Sequence, residues 1–251
     1  MATEDGREPK DYQEAFARVE REVDGGNADL RALGFWPLVE RVKRDPAVAR
    51  HWAADIGRID RKAFERRVRF RLPLWLGNLL LGGASVALVA LVPVALDVAR
   101  DAQRPEPVLS GVLVTLSGLG LAATIHDLAH WVTGRLQRIR FFSYYLNGPL
   151  IIEPAIKIDY ESYMKAEPGR RALMHASGAL ASKAAPFAVF AAVYFPHRAA
   201  NYDLLPPWSL WVLLGYGVLT ILTDIFFSTK TSDWKKVRRE RRLARMQQAG
   251  I

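Results

Sequence analysis

His126, Asp127 and His130 stand in the run Ala122-Ala123-Thr124-Ile125-His126-Asp127-Leu128-Ala129-His130-Trp131, which is otherwise largely apolar. Residues four apart share one face of a helix, so a helix here offers two imidazoles to a single ion. The acidic residue after the first histidine occupies the place where an H-E-x-x-H zinc helix keeps its general base. In this chain that place holds Asp127, whose side chain is one methylene shorter than a glutamate. The chain has no cysteine, which excludes disulfides, cysteine nucleophiles and thiolate metal sites. Any transition-metal site must therefore be built from His, Asp or Glu.

The elements that would position these groups are visible as apolar blocks at residues 72–96, 108–134, 172–195 and 207–229. Each is long enough for the roughly 30 Å hydrocarbon layer, which about 20 helical residues cross. The expected architecture is an all-α membrane protein with four transmembrane helices over 72–229. A small cytoplasmic helical region, 1–71, precedes them, and a basic cytoplasmic tail, 230–251, follows. The hydrophilic stretch ahead of the first block argues against a cleaved signal peptide.

Net charge is +9, a value that can signal nucleic-acid binding, but its distribution points to membrane topology instead. Lys and Arg outnumber acids seven to two in 58–71, seven to four in 135–171 and eight to two in 230–251. The connections 97–107 and 196–207 carry no such excess. Short basic loops stay in the cytoplasm, so both termini and the middle connection are expected there, in the cell membrane. The basic tail then faces anionic lipid head groups, and no nucleic-acid partner is expected.

Within 1–71, Tyr12, Phe16, Val19 and Val23 recur at helical spacing until Gly25-Gly26. Asn27 can cap a second helix, with a break expected near Phe35-Trp36, and Asp45-Pro46 marks the start of a third. Gly111, Ser117, Gly118 and Gly120 give the second membrane helix a close-packing face, which predicts a central position for it. The connection 135–171 is rich in aromatics from Phe141 to Leu146, and Asn147-Gly148 supplies a hairpin turn. A β-hairpin is therefore expected between helices two and three, with Pro149 and Pro154 keeping its second segment at a sheet edge. An amphipathic segment resting at head-group depth is the alternative for that stretch.

An aspartate in mid-membrane costs about 2.5 to 3.5 kcal/mol on insertion scales, so Asp127 and Asp224 both need a reason to be there. Counting back from Arg135 and Lys230, His130 lies five residues in, His126 nine and Asp224 six. At about 1.5 Å per residue, all three stand roughly 8 to 14 Å from the same edge. Two imidazoles and a carboxylate make a catalytic zinc set with its fourth position open. The other reading pairs Asp224 with Lys183 and leaves the histidines to hydrogen-bond between helices.

The helix His126-Asp127-Leu128-Ala129-His130-Trp131-Val132-Thr133-Gly134-Arg135 resembles the metal-binding helix of the site-2 protease family of intramembrane zinc metalloproteases. Gly148-Pro149, Ser177-Gly178 and the later Asp224 are similar to that family's layout, over about residues 72–229. The resemblance implies one zinc ion per chain bound by His126, His130 and Asp224, with Asp127 as base. It also implies a transmembrane protein substrate, unwound and cut within the bilayer as in regulated intramembrane proteolysis. The chain departs from the family at Asp127, at Tyr216, which stands where an oxyanion-stabilising Asn is usual, and at Ile225 in place of a glycine. Tyr216, His175 and Lys183 are candidates for the missing oxyanion donor. The stretch containing Phe141, Asn147, Gly148 and Pro149 is the candidate for holding substrate as an added strand.

Loss of the family's glutamate at position 127 and of its usual Asn-x-x-Pro-x-Pro-x-Leu-Asp-Gly run around Asp224 suits a second reading, a pseudoprotease that binds transmembrane partners without cutting them. A di-iron oxidase or desaturase is disfavoured because the chain has five histidines, only two of which share a membrane-helix face. A proton-relaying transporter would usually carry more helices or visible repeats.

Overall fold

The structure is a computed structural model that describes residues 9–100, 107–147, 153–199, 205–226 and 232–250. Three helices come first, α1 (Pro9–Asp24), α2 (Phe35–Val42) and α3 (Pro46–Arg67), and then the short strand β1 (Arg71–Pro73). The long helices α4 (Leu74–Arg100) and α5 (Pro107–Leu136) follow, with β2 (Phe141–Asn147), β3 (Glu153–Ile158) and α6 (Tyr160–Lys165) after them. The chain continues through α7 (Pro168–Ala199), α8 (Pro207–Phe226) and α9 (Asp233–Gln248). Four helices, α4, α5, α7 and α8, are long and apolar enough to cross a membrane.

The chain divides into two compact units, neither of them continuous in sequence. The first comprises Met1–Pro73, Arg135–Arg171 and Glu240–Ile251. Its helices begin and end where local chemistry dictates. The Asp45 side chain accepts hydrogen bonds from the backbone N–H groups of Ala47, at 2.7 Å, and Val48, at 3.2 Å, and Pro46 needs no such acceptor. Gly34 adopts a φ of 71° and α2 begins only at Phe35, so Asn27 does not cap that helix: residues 30–34 form turns, and Asn27 Oδ1 accepts from the Asp29 N–H at 3.2 Å.

Phe16, Val23, Phe35, Val42, Trp52 and Ile56 form the core of this unit, and Met164 of α6 joins it. A Cβ added at Gly57 would stand 2.7 Å from that of Glu161, so α3 and α6 approach as closely as they do only because position 57 is a glycine. The expected region 1–71 thus buries its apolar faces together with residues distant in sequence.

The expected hairpin is present as β2 and β3, paired antiparallel, and the sheet order β1-β2-β3 leaves β3 with its Pro154 at an edge. The third strand, β1, was not expected: Leu72 and Pro73 read as the start of a membrane helix, but they pair with Tyr144 and Ser143. Gly148 and Pro149 lie outside the described residues.

Buried charge is resolved within the same unit. The Glu240 carboxylate is fully buried and pairs with Lys43 and, at 2.7 Å, with Arg171, two cations that are themselves fully buried. The Tyr163 hydroxyl donates to Glu240 across 3.0 Å. Lys43 also meets Glu40 at 3.4 Å, so the two cations face two carboxylates, the balance that buried charge requires.

The second unit, Leu74–Gly134 with Ala172–Arg239, holds the four long helices. Val114, Leu121, Ala185, Val189 and Leu213 fill its core, whereas Leu79, Val86, Leu116, Trp211 and Phe226 are exposed, as a lipid-facing surface requires. As expected from its small residues, α5 is the most buried of the four; α4 is the least. A Cβ at Gly118 would lie 2.3 Å from Leu213 Cδ2, so that glycine lets α5 and α8 close on each other.

Candidate metal centre

His126 and His130 do share one face of α5, and the residue that meets them is Asp233, the first residue of α9. His130 Nε2 lies 3.2 Å from His126 Nε2 and 3.1 Å from Asp233 Oδ2; His126 Nε2 lies 3.2 Å from the same oxygen. These three atoms form a nearly equilateral triangle. Ligands about 2.0 to 2.1 Å from a tetrahedral zinc ion stand roughly 3.3 Å apart, within a few tenths of an ångström of the observed edges. The group could hold a metal ion.

The hydrogen bonds on the far side of each ring favour that use. His130 Nδ1 lies 2.7 Å from the Met174 carbonyl, to which it can only donate, and this leaves Nε2 with a lone pair in the neutral imidazole. His126 Nδ1 faces Ser182 Oγ at 3.4 Å, and the Ser182 hydroxyl is directed to the Ala179 carbonyl at 3.3 Å. With this tautomer assignment the second Nε2 is also an acceptor. Lys236 pairs with the Asp233 carboxylate and keeps it charged, so Oδ2 presents lone pairs as well. Three lone pairs therefore converge. One shared proton bridges a single edge of the triangle, whereas a metal ion satisfies all three corners.

The surrounding residues hold the triangle in place. Lys236 Nζ donates to Asp233 Oδ1 at 2.9 Å, and His175 Nδ1 stands 3.6 Å from that oxygen, which leaves Oδ2 turned toward the histidines. A Cβ at Gly178 would fall 2.3 Å from His130 Nε2, so only glycine lets α7 pass against that ring. The Ser177 hydroxyl, 3.0 Å from the Ala129 carbonyl, ties α7 to α5 beside the site. Asp127, next to His126 in α5, is buried, with 8% exposure.

Asp224, the expected third ligand, is placed differently. Its carboxylate pairs with Lys183 at 2.5 Å, linking α8 to α7, and it is not part of the histidine cluster. Matching depth was a sound constraint, but depth says nothing of the direction in which a helix face points. Lys183, inside a membrane helix, needs a counter-ion, and Asp224 supplies it. Asp233 lies beyond the last apolar block, in the basic stretch 230–251, where hydropathy and depth point to no ligand. The available signal was Ser232-Asp233 followed by Lys235-Lys236, a helix start with an acid in its first turn.

The other candidates divide. His175 is buried beside Asp233, while Lys183 is occupied by Asp224. Tyr216 is on an exposed part of α8 and makes no hydrogen bond among the described residues. Phe141 is buried in β2, in the other unit. Compared with known families, curated proteins and solved structures, the chain matches no family model, no curated protein and no solved structure.

Proposed function

We propose that this chain is an intramembrane zinc metalloprotease that hydrolyses peptide bonds in transmembrane segments of other membrane proteins. The observation that carries the reading is the convergence of two imidazole lone pairs and a carboxylate on one point, among helices long and apolar enough to span a bilayer. A zinc ion there supplies Lewis acidity that makes water nucleophilic at neutral pH and polarises a peptide carbonyl. His126, His130 and Asp233 hold the ion, and Lys236 and His175 fix the carboxylate that ligates it. Asp127 accepts the proton of the attacking water and returns it to the leaving amine. Among the described residues β3 stands at the edge of its sheet, the kind of position to which an extended segment can add as a strand.

The experiment is cleavage of a reporter bearing a transmembrane helix, with enzyme and reporter reconstituted in the same vesicles. Cleavage is expected to stop on chelation and to resume with added zinc. Cleavage that persists after chelation, with metal analysis confirming removal, rejects the metalloprotease. A second reading, a metal-containing pseudoprotease that binds transmembrane partners without cutting them, is favoured by Asp127 in the base position and by the exposed Tyr216.

The basic excess in 58–71, 135–171 and 230–251 supports a topology with both termini in the cytoplasm and the metal centre nearer that side of the cell membrane. Cysteines introduced at Gln103 and Asn201 are expected to react with an impermeant maleimide from outside, and one at Gln248 only after lysis. Labelling of Gln248→Cys in intact cells reverses the topology.

A further inference from the structure

The ion pair between Lys183 and Asp224 is set in the wall of a cavity of about 450 Å3, whose other walls come from α7, α8 and α9. On α7, Leu180, Lys183, Ala184 and Phe187 follow the three- and four-residue spacing of one helix face, and Ile221, Asp224 and Ile225 do the same on α8. Lys183 meets Asp224, and four residues on Phe187 packs over Gly217, so α7 and α8 run antiparallel. That order grades the cavity. Trp234 of α9 packs with Ala172 and Ala176, on the turns of α7 ahead of Leu180, the Lys183–Asp224 pair follows, and Phe187 with Ile221 makes the far end apolar.

The charges do not cancel. Lys183 and Arg238 face a single carboxylate, Asp224, and among the described residues no acid pairs with Arg238. An apolar slot between membrane helices, with one unbalanced positive charge and a tryptophan at its helix-end mouth, matches one kind of occupant. We propose that this cavity is a built site for one acidic phospholipid. Its phosphate meets Arg238, its ester region lies beside Lys183, and an acyl chain runs along Ala184 toward Phe187 and Ile221. The volume lies in the roughly 300–1,000 Å3 range of ligand pockets. The site stands whether or not the chain is a protease, because none of the residues that define it is a proposed metal ligand or base.

The test is native mass spectrometry of the full chain, delipidated in detergent and titrated with dioleoylphosphatidylglycerol or dioleoylphosphatidylcholine. One phosphatidylglycerol is expected to bind ahead of any phosphatidylcholine. Arg238→Gln should weaken that first binding roughly tenfold, the loss of one charge-assisted contact. Arg241→Gln, which removes equal charge from a second exposed position of the same helix that does not line the cavity, should leave it unchanged. Ala184→Trp, which fills the slot and alters no charge, should also abolish it, so the proposal remains testable even if the Arg238 variant does not fold. Equal binding of the two lipids, an equal loss from Arg241→Gln, or full binding by Ala184→Trp overturns the proposal.

Discussion

Asp233→Ala is expected to purify without metal, whereas Asp224→Ala is expected to keep one ion per chain. Both changes remove a carboxylate near the same end of the membrane helices, and the sequence alone favours Asp224 as the ligand. The structure separates them: Asp233 Oδ2 stands 3.1 Å and 3.2 Å from the two histidine Nε2 atoms, while Asp224 is committed to Lys183 at 2.5 Å. Loss of Asp233 leaves two imidazoles, one ligand short of the three protein ligands of an open catalytic zinc site. Changes to the residues that orient the carboxylate should have graded effects. Lys236→Ala and His175→Ala are expected to weaken metal affinity by roughly 10- to 100-fold without abolishing it. Metal analysis and competitive chelator titration of each variant supply the measurement. Full occupancy in Asp233→Ala together with loss in Asp224→Ala would return the third ligand to the position first inferred.

Asp127→Asn is expected to abolish reporter cleavage while leaving the metal bound. The amide is close in size to the carboxylate and cannot take up the proton, and the three ligand atoms are untouched. The expected loss is on the order of 100- to 10,000-fold, the usual contribution of a positioned acid or base. Asp127→Glu, which restores the longer side chain, is expected to raise the rate. The same assay divides the two proposed functions. If wild type and Asp127→Asn cleave equally, Asp127 is not the base. If neither cleaves any transmembrane reporter while metal stays stoichiometric, the non-cleaving binder is the better account.

The metal content and the cleavage rate report on different links of the argument. Under the proposed function, loss of Asp233 is expected to remove the metal, and loss of the Asp127 carboxylate is expected to remove the chemistry alone. A variant such as Gly178→Ala probes a third link, since its added methyl would press on the His130 ring and disturb the ligand without altering any charge.

The sequence by itself determined the features that depend on local periodicity. Four apolar runs had to become membrane-length helices, His126 and His130 had to share a face, Asp45-Pro46 had to open a helix, and Asn147-Gly148 marked the end of β2. Each follows from a few neighbouring residues, whose spacing is fixed by the 3.6- and 2-residue repeats of the backbone. Only the tertiary structure decided which carboxylate meets the histidines. That choice depends on how each helix is rotated within the bundle and on where α9 begins, and no count along the chain contains either. The same holds for Glu240, which reads as one acid in a basic tail yet is buried against Lys43 and Arg171. It holds also for β1, three residues that become a strand only because β2 lies alongside. Burial and pairing between residues far apart in sequence are set by packing, and packing is a property of the assembled chain.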